Sequence, residues 1–402
     1  MRLRQVQQHE AARNRVGAAR IRGRVPTAGP IIDVRFPGAE GFMLSFAYPR
    51  YPAARLQSAE RMRNRVRIFA ALLIALMLAP GCRARGQSSS PPAPPIIDMH
   101  LHAHTLSMYG TPSPAVCTND QDIVFPGLDP RETFTPERVK SCAHPLRAPG
   151  TDEALLRTTL DRLERYNIRA VTSGPLEEVR KWRAAALHRI IPAIPFDDYG
   201  QHEPDVFRRL FREGAFTVFA EISAQYNGLS PADRSLEPYF ALAEELDIPV
   251  GIHLGEGPPG AAYRGYPKYR AQLTSAYLLE DVLLRHPRLR VYAMHYGSPL
   301  VDDMISMLLS HPQLYVDVAG NNWMLPRRQF HEHLQRLVEA GFGKRIMFGS
   351  DAMIWPGTVE IAIQSIEAAT FLTEQQKRDI FFNNAARFLR LSEETVAQHH
   401  GR

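Results

Sequence analysis

Four short segments of this chain carry side chains that bind metal ions, and each follows a run of apolar residues. The first segment holds His100 and His102, and the other three hold His253, His295 and Asp351. Alternate side chains of a β-strand point the same way, so the imidazoles of His100 and His102 can reach one ion. These residue types predict a site for a divalent cation, and zinc is the default ion for such ligands.

For these side chains to meet, the apolar runs must lie side by side as parallel strands. From Ile96 onward, strand-like and helix-like segments alternate, which is typical of parallel β/α units. The sequence predicts eight strands, over residues 96–102, 170–173, 190–194, 217–222, 250–254, 291–295, 314–318 and 346–349. Eight such units predict an α/β fold, a (β/α)8 TIM barrel with its metal site at the C-terminal face of the strands.

The segments between the predicted strands repeat apolar residues at spacings of three and four, which predicts amphipathic helices. Examples are residues 153–166, 177–187, 276–285, 301–309 and 329–340. Two of these helices end in the similar sequences 283–287 and 308–312. We therefore expect His286 and His311 at helix C-termini, where an imidazole suits the helix dipole, on the rim opposite the metal site.

The order of these residues resembles the amidohydrolase superfamily, with a His pair on strand one, single His residues on strands five and six, and an Asp on strand eight. More narrowly, the chain resembles the amidohydrolase-related family, also called amidohydrolase family 2. Residues 383–389 (Asn-Asn-Ala-Ala-Arg-Phe-Leu) are similar to the C-terminal helix of that family, and residues 348–351 (Phe-Gly-Ser-Asp) to its strand eight. The resemblance covers about residues 96 to 392.

The resemblance implies a metal-dependent hydrolase that uses activated water to cleave an amide, ester or lactone bond of a small substrate. His100, His102 and His253 would hold a divalent ion, which lowers the pKa of water to about 7. Asp351 would take up the proton of the attacking water. His295 would bind a second ion or, left unligated, polarise the substrate carbonyl.

Glu221 adds a carboxylate at the end of predicted strand four, where many superfamily members place a bridging carboxylate or a modified Lys. Its spacing from His253 is similar to that in TatD-like hydrolases, which use a Glu between two ions. A buried, unpaired Glu at a barrel mouth is costly, which favours a role at or beside the metal over a plain salt bridge. The sequence leaves open whether one or two ions bind.

Other functions fit parts of the pattern. Relatives of the resembled family include metal-dependent decarboxylases of unsaturated or aromatic acids, which need a cation to hold a carboxylate, and Arg264 and Arg270 are candidates. A TatD-like nuclease is disfavoured because the barrel is net acidic, and a non-catalytic binding lipoprotein is disfavoured because the ligand set is complete. Residues 225–227, 263–269 and 354–356 are candidate walls of the substrate pocket.

The basic charge of the chain is concentrated in its N-terminal part. Residues 1–67 hold 14 Arg and four acidic residues, so the barrel is net acidic although the whole chain is +6, and it gives no indication of nucleic-acid binding. Residues 62–81 combine a basic stretch with an apolar run and precede Cys82, which resembles a bacterial lipoprotein signal. The run of 12 apolar residues is short for a membrane span, which leaves lipid anchoring or plain secretion.

The predicted organisation has five parts. Residues 1–61 are a mis-assigned start or a disordered basic extension, 62–81 a signal peptide, 82–95 a flexible tether, 96–392 the hydrolase barrel and 393–402 a C-terminal tail. We expect an exported protein, periplasmic or anchored to the outer membrane, whose partner is a small-molecule substrate and which touches a membrane only through a lipid on Cys82. The oligomeric state is left open.

Export would change the chemistry of two further cysteines. An oxidising compartment allows Cys117 and Cys142 to pair as a disulfide across the long segment after strand one. The competing interpretation, a thiolate ligand of the metal, is disfavoured because the His and Asp residues already suffice.

Overall fold

Eight parallel strands follow one another around a barrel in the computed structural model, which describes residues 93–135, 138, 140–196 and 203–401. They are β1 (Ile96–His102), β2 (Ile168–Ser173), β3 (Ile190–Phe196), β4 (Val218–Ile222), β5 (Val250–His253), β6 (Val291–Met294), β7 (Leu314–Asp317) and β8 (Ile346–Met347). Hydrogen bonds from Met99 N to Phe348 O (2.9 Å) and from His102 N to Ala352 O (3.2 Å) join the ends of the sheet. The predicted TIM barrel is therefore confirmed.

The strands form where Val, Ile and Leu dominate, because a parallel sheet in such a barrel is covered on both faces. Alternate strand residues, such as Ile97, Val171 and Val218, fill the barrel interior together with Phe382 and Phe388 from the C-terminal segment. The intervening strand residues pack outward against the helices in a larger apolar layer. The polar side chains considered below lie above the interior apolar cluster, at the C-terminal ends of the strands.

Helices occupy the connections between the strands. The α-helices are α1 (Asp152–Arg165), α2 (Leu176–Ala185), α3 (Pro204–Arg212), α4 (Glu237–Glu245), α5 (Glu280–Arg285), α6 (Val301–Ser310), α7 (Asn321–Met324), α8 (Arg327–Leu337), α9 (Gly357–Glu367), α10 (Glu374–Arg378), α11 (Asn384–Phe388) and α12 (Glu393–His399). Shorter 3-10 turns cover Leu106–Tyr109, Ala224–Asn227, Arg234–Leu236, Ala261–Tyr263, Ala271–Thr274, Ala276–Leu279, His295–Gly297 and Gly343–Arg345, and π-helical turns cover Val338–Phe342 and Asp379–Asn383.

Helix α1 illustrates how the sequence sets these elements. The side chain of Thr151 accepts a hydrogen bond from Ala154 N (3.1 Å), which caps the first turn. Acidic residues lie in that turn and Arg162 and Arg165 lie in the last, an arrangement that complements the helix dipole. The buried face of the helix, which includes Leu155 and Leu163, packs on the strands.

The predicted helix-terminal histidines are confirmed. His286 follows α5, and its ring lies between Glu237 (Nε2 to Oε1, 3.1 Å) and Glu244 (Nδ1 to Oε2, 3.4 Å). His311 follows α6 in the same way. Both residues precede a strand, so they lie at the N-terminal rim of the barrel and have a structural role.

The segment between β1 and α1 is long and has little regular structure. It contains the predicted disulfide, Cys117–Cys142, which closes a sequence separation of 25 residues. Two isolated antiparallel bridges, Val116 with Leu146 and Val124 with Ser141, lie beside the disulfide. We call residues 103–151 the β1 segment.

The described residues begin shortly before β1 and extend almost to the C-terminus. The predicted extension 1–61, the signal 62–81 and Cys82 lie outside the described residues, which belong to the compact unit Gln87–Arg402. Residues expected to be a C-terminal tail include helix α12, with His399 buried against Phe382. Within the described part of the chain, no helix is long and apolar enough to cross a membrane.

Candidate metal centre and substrate cavity

One group of ligand atoms lies at the ends of β1 and β8. The Nε2 atoms of His100 and His102 are 3.2 Å apart, and Asp351 Oδ1 lies 3.1 Å from His102 Nε2 and 3.6 Å from His100 Nε2. Glu221 Oε2 is 3.5 Å from both imidazole nitrogens. Four ligand atoms from three strand ends therefore face a common point.

A second group lies beside it, at the ends of β5 and β6. His253 Nδ1 is 3.1 Å from His295 Nε2 and 2.5 Å from Glu221 Oε1, and His295 Nε2 is 3.7 Å from the same carboxylate oxygen. Glu221 thus turns one oxygen to each group. All six residues singled out in the sequence are buried and come together here.

The spacing of these atoms fits divalent ions. Two ligand atoms that lie 2.0–2.1 Å from one tetrahedrally coordinated ion are about 3.3 Å apart. The separations in the first group, 3.1 to 3.6 Å, lie around that value. When the imidazoles are neutral with the proton on Nδ1, these contacts join acceptor atoms whose lone pairs a cation would satisfy.

In three of the histidines, the Nδ1 atom, which faces away from the group of ligand atoms, contacts another protein group. The Nδ1 atom of His100 lies 3.2 Å from Asp317 Oδ2, that of His102 lies 3.3 Å from Ser173 Oγ, and that of His295 lies 2.9 Å from the carbonyl oxygen of Ala319. The carboxylate and carbonyl partners of His100 and His295 favour the proton on Nδ1, which leaves Nε2 free to bind a metal, a common feature of histidine ligands. The Ser173 hydroxyl can donate or accept.

The strand pairing is irregular beside two of the candidate ligands, His100 and Glu221. The pairing of β1 with β2 shifts register between Asp98 and Leu101, and that of β4 with β5 shifts between Phe219 and Ile222. A bulge of this kind lets neighbouring residues turn to the same side of a strand. At these irregular positions His100 and Glu221 lie at the mouth of the barrel, whereas Met99 and Ala220, next to them, face its interior.

Two ligands occupy backbone conformations that few residues adopt. His295 and Asp351 have φ values of +57° and +49°, in the left-handed region where His and Asp are among the better tolerated types. Hydrogen bonds hold both: His295 N donates to Asp317 Oδ1 (2.8 Å) and Asp351 N donates to His100 O (2.6 Å). The same hydrogen-bond network that positions these two residues therefore also stabilises their strained backbone conformations.

Close backbone approach around these ligands requires glycine at two positions. A Cβ atom on Gly349 would lie 2.9 Å from His100 Cβ and 2.8 Å from Ala319 Cβ. A Cβ atom on Gly320, which has a φ of +69°, would lie 2.7 Å from Asp351 Oδ2. Both contacts are too short for a side chain, so the ligands keep their places only beside glycine.

The carboxylates of the centre stay ionised. Burial raises the pKa of Glu221, but the charges of His100 and His253 and their hydrogen bonds outweigh it and hold the pKa well below its usual range. The pKa of Asp351 is lowered in the same way, since contacts with His100, His102 and His295 outweigh burial. Burial lowers the pKa of His253. For His100 and His295 the neighbouring carboxylates outweigh burial and raise the pKa.

Sequence reasoning missed two buried aspartates. Asp317, at the end of β7, contacts both groups, through the ring of His100 and the backbone of His295. Asp98 accepts hydrogen bonds from His100 N (2.9 Å) and Ser350 N (2.8 Å), and burial raises its pKa to about 7. In the sequence, Asp98 and Asp317 differ from other aspartates only in lying within or at the end of an apolar strand, and such positions are common.

The remaining histidines near the loops are separate from the ligand groups. His104 stacks on His102, with ring centroids 4.4 Å apart, and its Nδ1 lies 2.7 Å from the hydroxyl of Tyr109. His144, His331 and His333 belong to none of the potential metal groups found among the described residues. His104 therefore borders the candidate centre, and the other three belong to none of its ligand groups.

A cavity of about 1100 Å³ opens above the metal centre. Of the predicted walls, Tyr226, Asn227, Tyr266 and Trp355 line it. Arg264 also lines the cavity, whereas Arg270 is exposed and lies outside the lining, with its guanidinium on the carbonyl oxygens of Pro267 and Tyr269.

Much of the cavity wall comes from the β1 segment, which the sequence did not indicate. Lining residues from this segment are His104, Met108, Tyr109, Pro112, Ser113, Pro114, Ala115, Val116, Cys117, Lys140, Ser141, Cys142, Pro145 and Arg147. The disulfide is thus part of the wall. Its closure holds the two halves of the segment together over the metal centre.

Comparisons with known proteins agree with this architecture. A family model described as amidohydrolase matches residues 97–391, and no curated protein matches the sequence. The chain is similar to the crystal structure of an uncharacterised TIM-barrel protein from Bordetella bronchiseptica, with 17% identity and a TM-score of 0.53 over 76% of this chain and 99% of that chain. That likeness concerns the fold alone.

Two further solved structures show weaker likeness. One is 5-carboxyvanillate decarboxylase from Sphingomonas paucimobilis, at 17% identity and a TM-score of 0.42 over 58% of this chain and 82% of that chain. The other is 4-oxalomesaconate hydratase from Rhodopseudomonas palustris, at 15% identity and a TM-score of 0.44 over 75% of this chain and 98% of that chain.

Proposed function

This chain belongs to the amidohydrolase family, and from that premise we propose that it is a metal-dependent hydrolase of an amide, ester or lactone bond in a small molecule. The observation that carries the proposal is the position of Glu221, whose two carboxylate oxygens face two separate groups of ligand atoms. Such a carboxylate suits a pair of ions better than one. The adjoining cavity gives a substrate access to both groups.

His100, His102 and Asp351 would hold one ion, His253 and His295 the other, and Glu221 would be shared. Zinc is the expected metal because the ligands are imidazoles and carboxylates. A divalent ion bound there supplies Lewis acidity, which polarises the bond under attack and lowers the pKa of water to about 7. The protein must then bind the substrate, keep its ligands in place and move protons.

Asp351 is the proposed proton acceptor. Its pKa is held low, so the carboxylate is ionised at neutral pH and ready to take a proton from the attacking water. It would return that proton to the leaving group. Asp317 fixes the ring of His100, and Tyr226, whose ring centroid lies 5.1 Å from that of His253, borders the space where the substrate would lie.

The test is metal stoichiometry by elemental mass spectrometry on the full chain, with Glu221→Gln alongside. We expect two ions per wild-type chain, one or fewer in the variant, and hydrolysis of ester, lactone or amide probes that chelation abolishes and zinc restores. One ion unaffected by the variant would overturn the shared role of Glu221. Hydrolysis that continues at the full rate in metal-free protein would overturn the proposal itself.

A metal-dependent decarboxylase is the second candidate function. The observation in its favour is a set of cations in the cavity wall, Lys140, Arg147 and Arg264, which suit a substrate carboxylate. Release of carbon dioxide without uptake of water would identify this reaction. Metal binding with turnover of neither substrate class would instead favour a non-catalytic binding protein.

We further propose that the protein is exported and that a lipid on Cys82 is its only attachment to a membrane. The disulfide Cys117–Cys142 supports export because disulfides persist in oxidising compartments. Mass spectrometry of the native N-terminus tests this. A lipid-modified Cys82 is the expected result, whereas an unprocessed chain with reduced cysteines would contradict export.

A further inference from the structure

Outside the candidate metal centre, the cavity wall carries more cations than carboxylates. Outside the six metal-centre residues, its charged members are Lys140, Arg147, Arg264 and the single carboxylate Glu256. Glu256 accepts a hydrogen bond from Ser298 Oγ (3.1 Å). Two ions in the metal centre would add further positive charge. The cavity is therefore suited to an anion.

Lys140 is the cation in this wall that most needs a counter-ion. Its ammonium donates to the carbonyl oxygen of Met324 (2.9 Å) and lies 5.9 Å from the ring centroid of Phe125. Among the described residues, no carboxylate lies within ion-pair distance of Lys140. Burial lowers its pKa to about 8, as expected for an ammonium removed from water without a compensating negative charge.

The other two cations are less suited to this role. Arg147 is exposed, so water screens its charge. Arg264 already donates to the carbonyl oxygen of Pro259 (2.9 Å) in its own loop. A ligand carboxylate would therefore be stabilised most at Lys140, because a charge-assisted hydrogen bond is stronger where the surrounding wall is partly removed from water.

The rest of the wall indicates the body of the ligand. Five prolines contribute to it, together with the aromatic rings of Tyr109, Tyr226, Tyr266, Trp323 and Trp355. A volume of about 1100 Å³ lies at the upper end of the range for pockets that hold drug-sized ligands. The cavity thus offers room for a sizeable apolar body between the metal centre and Lys140.

We propose that Lys140 binds a carboxylate of the substrate, so that the substrate is an organic acid whose carboxylate and cleavable bond are separated by an apolar body. This inference rests on the proposed hydrolase function for the position of the cleavable bond. Lys140 acts as a specificity-determining residue: it holds one end of the substrate while the metal centre acts on the other.

The first test compares two chromogenic esters of equal length on the metal-loaded full chain. They are the mono-4-nitrophenyl ester of suberic acid, which is an anion, and its neutral methyl 4-nitrophenyl diester. We expect wild-type kcat/KM to favour the anion at least tenfold, and Lys140→Met to bring the ratio close to one, mainly through KM. Lys140→Arg should keep most of the preference, and Lys181→Met, which removes an equal charge from α2, should keep all of it.

The ratio separates recognition from a merely structural role. If Lys140 only held the β1 segment in place, Lys140→Met would slow both esters equally and leave the ratio unchanged, which would overturn the inference. Metal-dependent hydrolysis without any preference for the anion would overturn it too, while leaving the proposed function standing.

A binding measurement decides the matter if neither ester is hydrolysed, an outcome that counts against the proposed function alone. Calorimetric titration with octanoate and with 1-octanol needs no turnover. We expect Lys140→Met to weaken octanoate binding about tenfold and to leave 1-octanol binding unchanged. Equal octanoate affinity in wild type and variant would overturn the role of Lys140.

Discussion

The metal centre and the cavity wall above it are built in different ways. Every candidate metal ligand lies at or just after a barrel strand and is buried, and several are held by hydrogen bonds to other strands. The wall from the β1 segment has no strand of the barrel and is only partly buried. It is closed by one disulfide and two isolated bridges.

The difference suggests that the strand ends carry out the chemistry and that the connecting segment recognises the substrate. Chemistry needs ligand atoms fixed within a fraction of an ångström, which strand ends in a packed barrel provide. Recognition of a substrate tolerates a wall that varies, which a connecting segment provides. Changes in the centre should therefore act on turnover, often completely, whereas changes in the wall should act on KM and on stability.

The largest effect is expected from removing the His pair. His100→Ala combined with His102→Ala takes two of the four ligand atoms from the first group, so that group should lose its ion and turnover should fall to background. Elemental mass spectrometry and hydrolysis rates measure the two effects. Metal content equal to wild type in the double variant would mean that the site lies elsewhere, and His144→Ala is a control that should change nothing.

A loss of turnover without loss of metal is expected for Asp351→Asn. The amide oxygen still offers a lone pair to an ion, but it cannot accept the proton of the attacking water. We expect kcat to fall by about 10² to 10⁴, the usual contribution of a positioned base. A wild-type rate in a variant with full metal content would contradict the proposed role of Asp351.

A smaller effect is expected at Asp317, which positions ligands of both groups without belonging to the predicted ligand set. Asp317→Ala removes the partner of His100 Nδ1 and of His295 N, and we expect metal affinity or activity to fall about 10- to 100-fold. Asp317→Asn keeps one oxygen acceptor and should lose less. Asp302→Ala, an equal charge change on the exposed face of α6, serves as the control. Equal metal affinity in all three variants would leave Asp317 no role in positioning.

The same division explains what the sequence could and could not predict. The eight strands were predictable because apolar runs alternate with amphipathic segments. The candidate metal ligands were predictable because four of those runs end in or are followed by His or Asp. Asp317 was missed because its importance depends on β1 and β6 coming within reach of β7, which no local pattern indicates. The irregular pairing of β4 with β5 near Glu221 gave no signal in the sequence either, although the carboxylate itself had been singled out.

The cavity wall was harder to predict because the β1 segment has no periodicity. Arg264 and Arg270 looked equivalent in the sequence, yet only Arg264 lines the cavity, because the path of one loop separates them. Lys140 and Arg147 lie far along the chain from any strand end and gave no signal. Only the paired cysteines indicated that this segment is held in a defined shape.

The smallest effect on turnover is expected from opening the disulfide. Cys117→Ser combined with Cys142→Ser frees a loop of 25 residues, which by chain entropy should lower the free energy of unfolding by about 3 kcal/mol. Since the strands carry the metal ligands, kcat should stay within about twofold of wild type, while KM rises because the wall around Lys140 loses its closure. Urea denaturation and steady-state kinetics measure the two quantities, and reduction of the wild-type protein should reproduce both changes. A fall in kcat with unchanged KM would show that the wall takes part in the chemistry, and the separation between a rigid centre and an adaptable wall would then be wrong.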